Sequence, residues 1–280
     1  MIYEYGNDIL IIDVGLQFPN EDMPGIDFII PNISYLKGKE KNIRGVIITH
    51  GHYDHLGAIP YLIEKLGYPT IYTMPLTRGI ILKRQEDFKN LKPLDIETVG
   101  HDTVLKLGAF KVEFIHLNHN IPDAVGLAIR TPEGILLHAT DYKFDPTPVN
   151  DKPADFAKIA KLAGEGILAL LSDSTGAETP GHSISEQMVK KNLEEIFKKA
   201  SGRIILATFS SLLTRIQQVV DLAEKYDKKV AVDGYSMKSN VEIARQLGYL
   251  KIKKGTLVPM DEIMKYPLAK TVVVCTGAQG

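Results

Sequence analysis

Four side chains able to hold a metal ion fall within six residues at His50-Gly51-His52-Tyr53-Asp54-His55. His50 and His52 are two residues apart, so on an extended segment they project to the same side and can bind one ion. Asp54 and His55 follow where the chain turns into a helix and can be directed at a second ion. Imidazole nitrogen and carboxylate oxygen suit zinc at ~2.0–2.2 Å and leave a position for water, the arrangement of metal-assisted hydrolysis. A lone histidine on a strand is more often a packed core residue than a ligand. Three histidines and an aspartate at one strand end are not explained by packing. The single cysteine, Cys275, excludes a disulfide framework and a cysteine-built zinc site, so histidine and carboxylate must hold any metal.

Such a cluster needs a strand before it and a helix after it. The apolar run at 46–48 supplies the strand, and Leu56, Ile59, Leu62, Ile63 and Leu66 recur at the spacing of one helix, with Gly67 as its stop. Further ligands should come from neighbouring strand ends, because loops on one edge of a sheet converge. His119 follows the strand 110–117, and Asp141 follows the strand 135–139. An aspartate after a strand is often only a turn residue, so the case for Asp141 rests on its company with the histidine cluster. Asp13, at the end of the strand 8–12, reads as a carboxylate that orients ligands. His116 and His138 lie inside strands and read as packing; His101 and His182 lie in loops and receive no role.

Up to about Pro180 the chain alternates short apolar runs with turn residues: DILIIDVG, RGVIITHG, PTIYTM, TVLKLGAFKVEFIHL and GILLHATD. These predict strands, with a second helix over 77–89. Beyond Pro180 strands and helices alternate: a helix over 186–200 capped by Ser185, the strand RIILATF, a helix over 214–226, the strand KKVAVDG, a helix over 239–247 and the strand KTVVVCTG. That rhythm predicts a parallel sheet covered by helices and a domain boundary at 185/186, giving domains 1–185 and 186–280. The length of 280 residues, 44% of them hydrophobic, is enough for both cores. The net charge of -1 conceals an asymmetry: of 33 Lys/Arg and 34 Asp/Glu, 16 and 10 lie from Glu186 onwards, leaving 17 and 24 before it. A basic half beside an acidic one suits an anionic polymer held by the first and processed at metals that neutralise the second. No apolar run approaches the ~18–20 residues of a membrane span and no basic region precedes the first hydrophobic stretch, so a cytoplasmic chain with no membrane partner is expected.

HxHxDH followed by a later histidine and a later aspartate resembles the metallo-β-lactamase fold. IIDVGLQFP, GIDFIIP, ITHGHYDHLGAIPYL, NHNIPDAVGLAIRTPEG, TDYKFDPTP, LLSDSTGAE, ATFSS, TRIQQV and the terminal TGAQG together resemble the ribonuclease J family of the β-CASP group. The resemblance implies an α/β protein, an αββα metallo-β-lactamase sandwich with an inserted, truncated β-CASP domain. It implies two zinc ions, with manganese as the alternative: His50, His52 and His119 on one, Asp54 and His55 on the other, and Asp141 bridging, so that Asp54 and Asp141 carry the catalytic roles. Ser210, Ser211 and Leu212, in the stretch 209–212, fall where the family approaches its substrate. The implied activity is hydrolysis of RNA phosphodiesters, 5′ to 3′ from an end and internally, in RNA decay and maturation including that of ribosomal RNA. The implied partners are RNA and, in a homo-oligomer (dimer or tetramer) or a complex with a paralogue, related chains.

Three departures from the family pattern stand out. Leu212-Leu213-Thr214 occupies the place of the usual Asn-Ile-His, so a polar RNA contact is expected to be missing or replaced. The chain starts at MIYEYG without a glycine-rich opening strand. No histidine follows His182, where the family takes its last metal-binding histidine and its proton donor from a later stretch; the sequence is therefore expected to be the N-terminal part of a longer enzyme. The rival functions are a hydrolase of a small ester, thioester or β-lactam, a DNA-directed β-CASP nuclease, and a non-catalytic RNA-binding subunit. The first does not account for the basic strand-helix segment, and the last is marked by lost ligands, which this chain retains.

Overall fold

The computed structural model describes residues 1–277; Ala278, Gln279 and Gly280, which close the TGAQG run, lie outside the described residues. Two compact units are formed, one from Met1–Leu117, Asp123–Tyr142 and Ala154–Glu178, the other from Asn118–Pro122, Lys143–Pro153 and Thr179–Gly280.

The first unit contains two five-stranded sheets. In one, β1 (Ile2–Tyr5), β2 (Asp8–Ile12), β3 (Ile43–Ile48), β4 (Ile71–Thr73) and β5 (Ile96–Thr98) lie in chain order. β1 and β2 form an antiparallel hairpin and the rest pair in parallel. The crossovers carry α1 (Tyr53–Leu56), α2 (Ile59–Leu62) and α3 (Pro75–Gln85). In the other sheet β6 (Val104–Leu107), β7 (Phe110–His116), β8 (Val125–Thr131) and β9 (Gly134–His138) are antiparallel, and β10 (Ile167–Leu171) joins in parallel after α4 (Phe156–Glu165).

Period-two alternation puts Leu10, Ile12 and Ile47 of the first sheet against Phe110, Val112, Phe114, Val125, Leu127 and Ile129 of the second in one buried layer. Ile9 and Ile11 point the other way and are buried as well, as the unbroken apolar run of β2 requires for a strand covered on both faces. Leu162 of α4 covers the outer side of the second sheet with Ile115, Leu117 and Ala128. The layers are those of an αββα sandwich. Phe114 is fully buried at its centre. Phe114→Ala is expected to cost about 3–5 kcal/mol in denaturant unfolding, whereas Leu168→Ala, on the exposed face of β10, should stay within about 0.5 kcal/mol.

The one helix predicted from Leu56 to Leu66 is two short ones. The segment after β2 runs against it: Val14 N–H donates to His55 O, Leu16 N–H to Tyr53 O, and Val14 O accepts Ala58 N–H. That last bond withdraws Ala58 from the α1 ladder, and Pro60 at the start of α2 has no N–H to continue it. Gly67, at φ +81, stops the second piece as the sequence indicates. The second helix starts at Pro75 and ends at Gln85, earlier at both ends than 77–89; its start is fixed by Asp123 Oδ2, far away in sequence, which accepts Leu76 N–H at 3.1 Å.

The second unit contains α5 (Glu186–Lys199), β11 (Ile204–Thr208), α6 (Leu213–Lys225), β12 (Lys229–Val232), α7 (Tyr235–Gln246) and β13 (Thr271–Thr276). The strands form an all-parallel sheet in the order β11-β13-β12, and the buried side of α6 presents Ile216, Val219, Val220 and Ala223 to the interior. Ser185 Oγ accepts Met188 N–H at 3.3 Å as the expected cap of α5. α7 begins four residues before the predicted start because Gly234, at φ +98, turns the chain directly out of β12.

Candidate metal centre

β3 delivers the HGHYDH loop. Thr49, at its end, is fully buried, and its N–H and hydroxyl donate to Asp13 Oδ1 and Oδ2 at 2.8 and 2.9 Å. Asp13, at the end of β2, sits at φ +60, a left-handed conformation that aspartate tolerates better than most residues. Its Oδ2 also accepts the Nδ1–H of His55 at 2.7 Å. Because Nδ1 carries that proton, His55 turns Nε2 outward, and there Asp54 Oδ2 and Asp141 Oδ2 each lie 3.5 Å away. A carboxylate fixing the rear nitrogen while the front nitrogen faces acidic oxygens is the usual support of a metal-binding histidine.

His50 Nε2 and His52 Nδ1 are 3.0 Å apart, close to the ~3.3 Å that two nitrogens take on one tetrahedral zinc. The His50 and His55 rings stand 4.0 Å apart between centroids. His50, His55 and Asp141 each offer a ligand atom, all within 4.8 Å of one another. Burial alone would depress the His55 imidazole, but the hydrogen bonds and charges of Asp13 and Asp141 outweigh it and push it up to about 10. The cluster thus favours a positive charge at this point, and its donors fit a divalent cation: borderline nitrogens and hard oxygens facing one small volume.

Within the first unit the structure brings together His50, His52, Asp54, His55 and Asp141. The Asp54 side chain is the most open of them, at 60% exposure. His119 lies in Asn118–Pro122, a segment of the second unit. That segment is pinned on both sides of His119: Asn118 Nδ2 donates to Asp151 Oδ2 and Lys152 O at 3.0 and 2.7 Å, and Asn120 O accepts the Thr214 hydroxyl at 3.3 Å. Thr214 therefore anchors this loop.

Ser210, Ser211 and Leu212 make the turn from β11 into α6, at the carboxyl end of a parallel strand, where open α/β sheets place their binding loops. Ser210 O accepts Asn240 Nδ2–H at 3.0 Å. The polar residues that follow are committed to structure. Arg215 Nη2 and Gln218 Nε2 donate to Glu186 Oε2 at 3.0 and 2.9 Å, Lys143 Nζ donates to its Oε1 at 3.2 Å, and Gln217 bonds Asp221 and the backbone of Lys251. Burial works against ionisation of Glu186, and these partners overcome it, holding its carboxyl below the usual range.

Of the remaining histidines, His116 is buried with its ring edge-on to His101 at 5.0 Å. His138 meets the Tyr3 hydroxyl through Nδ1 at 2.9 Å. Both belong to packing, as their positions inside strands suggest. Sequence reasoning passed over Thr49 and Thr140, whose signal is position: each immediately precedes a candidate ligand at a strand end.

Comparison with known proteins gives the family. Residues 1–200 match the family model of the metallo-beta-lactamase superfamily. The chain belongs to the metallo-β-lactamase superfamily. Residues 201–280 match the model described as "Ribonuclease J, beta-CASP domain", so a metallo-β-lactamase domain is followed by β-CASP sequence, and the mixed α/β class expected from the sequence holds. The ribonuclease J of a Synechocystis strain is 38% identical over 280 residues, covering 100% of this chain and 44% of its own. Ribonuclease J 1 of Streptococcus pyogenes is 39% identical over 277 residues (99% and 49%). Ribonuclease J of Thermus thermophilus is 38% identical over 286 residues (100% and 50%). The chain spans about half the length of these relatives. A crystal structure of a protein of unknown function from Enterococcus faecalis superposes with a TM-score of 0.67 at 16% identity, over 99% of this chain and 73% of that one, and shares its fold. Among the described residues no helix is long and apolar enough to cross a membrane.

Proposed function

We propose that this metallo-β-lactamase protein is a zinc-dependent ribonuclease that hydrolyses RNA phosphodiesters in RNA processing and decay. The observation that carries the reading is the pair of carboxylates facing His55 Nε2 beside the His50 and His52 nitrogens, in a chain whose next domain matches that of ribonuclease J. The resemblance would give one zinc to His50, His52 and His119, three nitrogens of the kind zinc takes. Asp54 and His55 would hold a second ion, and Asp141, which faces His55 Nε2, would serve with them. Bound divalent ions supply water of lowered pKa and offset charge on a phosphodiester. Asp13 holds His55 in the tautomer that leaves Nε2 basic, and the exposed Asp54 carboxylate orients the attacking water. Ser210, Ser211 and Leu212 lie on the substrate side of the basic part, which we divide from the acidic metal-bearing part at 185/186. The setting is the cytoplasm, and the resemblance supports self-association as a homo-oligomer.

Elemental analysis of the purified full-length protein tests the centre. Close to two zinc ions per chain are expected. Manganese in their place would change the metal and keep the site; no bound metal would contradict the catalytic reading. Cleavage of single-stranded RNA should exceed that of DNA, a β-lactam or a thioester under the same conditions.

A further inference from the structure

We propose that Thr49 is a positioning residue of the metal centre: its hydroxyl selects which nitrogen of His50 is offered to a metal and, through Thr140, ties the His50 strand end to the Asp141 strand end. The proposal rests on the metal-site reading above. A hydroxyl has one proton and two lone pairs. The Thr49 proton goes to Asp13 Oδ2 at 2.9 Å, a carboxylate that can only accept. Both remaining contacts of the Thr49 oxygen must then be donated to it. Thr140 gives its hydroxyl proton at 2.8 Å, and His50 gives Nδ1–H at 3.1 Å. With its proton on Nδ1, His50 presents the Nε2 lone pair on the side where His52 Nδ1 stands at 3.0 Å. Asp13 does the same for His55, so one carboxylate sets both rear nitrogens, directly for His55 and through the Thr49 hydroxyl for His50.

Backbone geometry at Thr140 adds an independent observation. This β-branched residue is held at φ +46, in the left-handed region where its side chain is strained, immediately before Asp141. Such conformations persist when surrounding bonds over-determine them, and they cluster at functional sites. Thr140 is buried, and its bond to Thr49 joins the end of β9 to the end of β3 across 91 residues of sequence. That bond is a direct side-chain link between the strand end before His50 and the strand end before Asp141.

The test uses full-length protein stripped of metal and titrated with zinc against a chromophoric chelator. Thr49→Val keeps the shape and removes the hydroxyl. It should weaken zinc binding about ten- to a hundredfold, the usual loss when the support of a metal-binding histidine is removed, and Thr49→Ser should recover to within a few-fold of wild type. Thr140→Val should weaken binding in the same direction, and Thr49→Val with Thr140→Val should be no worse than Thr49→Val alone, since both act through one oxygen. Histidine-selective 15N NMR of the metal-free protein should show His50 protonated on Nδ1 in wild type and redistributed toward Nε2 in Thr49→Val, a change that a packing defect does not produce. Zinc affinity of Thr49→Val within twofold of wild type, or an unchanged His50 tautomer, overturns the proposal. Should Thr49→Val fail to fold, Thr140→Val decides by the same affinity criterion. Wild-type protein that takes up no zinc overturns the site itself, an outcome distinct from a variant that binds as well as wild type.

Discussion

Full-length protein carrying His52→Ala with Asp54→Ala is expected to lose cleavage of 5′-monophosphorylated RNA by about a thousandfold or more, while RNA binding and the melting temperature change little. The size follows from what the pair supports: a metal centre contributes several kcal/mol of charge stabilisation, and each ~1.4 kcal/mol is a factor of ten in rate. The selectivity follows from position. Asp54 has a mostly exposed side chain, and His52 is only partly buried, so truncating them leaves no large cavity. The hydrogen bonds that organise the loop run instead through Thr49, His55 and Asp13. Initial rates on labelled RNA, with gel-shift binding and circular dichroism melts on the same preparations, give all three quantities. Residual activity near wild type would show that the metal ligands lie elsewhere.

Gly15→Ala should be the most damaging small substitution in the first unit. A methyl group there would stand 1.5 Å from the carbonyl oxygen of Asp54, 2.2 Å from its carbon and 2.8 Å from the nitrogen of His55. These are backbone atoms and no rotamer change relieves them. Either α1 moves, breaking the bonds from Val14 N–H to His55 O and Leu16 N–H to Tyr53 O, or the strand end carrying Asp13 does. Either route separates His55 from Asp13, and movement of α1 also shifts Asp54 and His55 away from Asp141. A loss of about 3 kcal/mol, at the upper end for overpacking, is expected, seen as a fall of roughly 6–12 °C in melting temperature, together with reduced zinc occupancy. Gly164→Ala is the control: it lies within α4 with nothing inside 4 Å of the added carbon, and it should be neutral or stabilise by up to about 1 kcal/mol. Equal melting temperatures for the two variants would contradict the close approach of the Gly15 segment to α1.

Much of the fold was legible because its signals are local. Strands β2, β3, β7 and β9, the Ser185 cap and the helix-strand rhythm beyond it are all read from residues within a few positions of one another, where periodicity of two or 3.6 operates. Elements set by distant partners were less legible. The helix after HGHYDH is broken because Val14 takes the Ala58 N–H, and α3 starts at Pro75 because Asp123 caps it from 47 residues away. Arg215 and Gln218, which follow the stretch 209–212 expected near RNA, are turned onto Glu186, an acid 29 and 32 residues away.

The candidate site divides in the same way. The sequence by itself singled out which residues could hold a metal, because four donors in six positions on a strand-to-helix loop are not explained by packing. It also placed His119 and Asp141 at strand ends. Tertiary structure alone decided how the donors are oriented. Asp13, Thr49 and Thr140 come together from three separate strand ends, and the single proton of the Thr49 hydroxyl settles which nitrogen His50 presents. A hydrogen bond has a direction and a reach of about 3 Å. Donor types can therefore be read along the chain, whereas the proton each one holds is set only when strands remote in sequence meet.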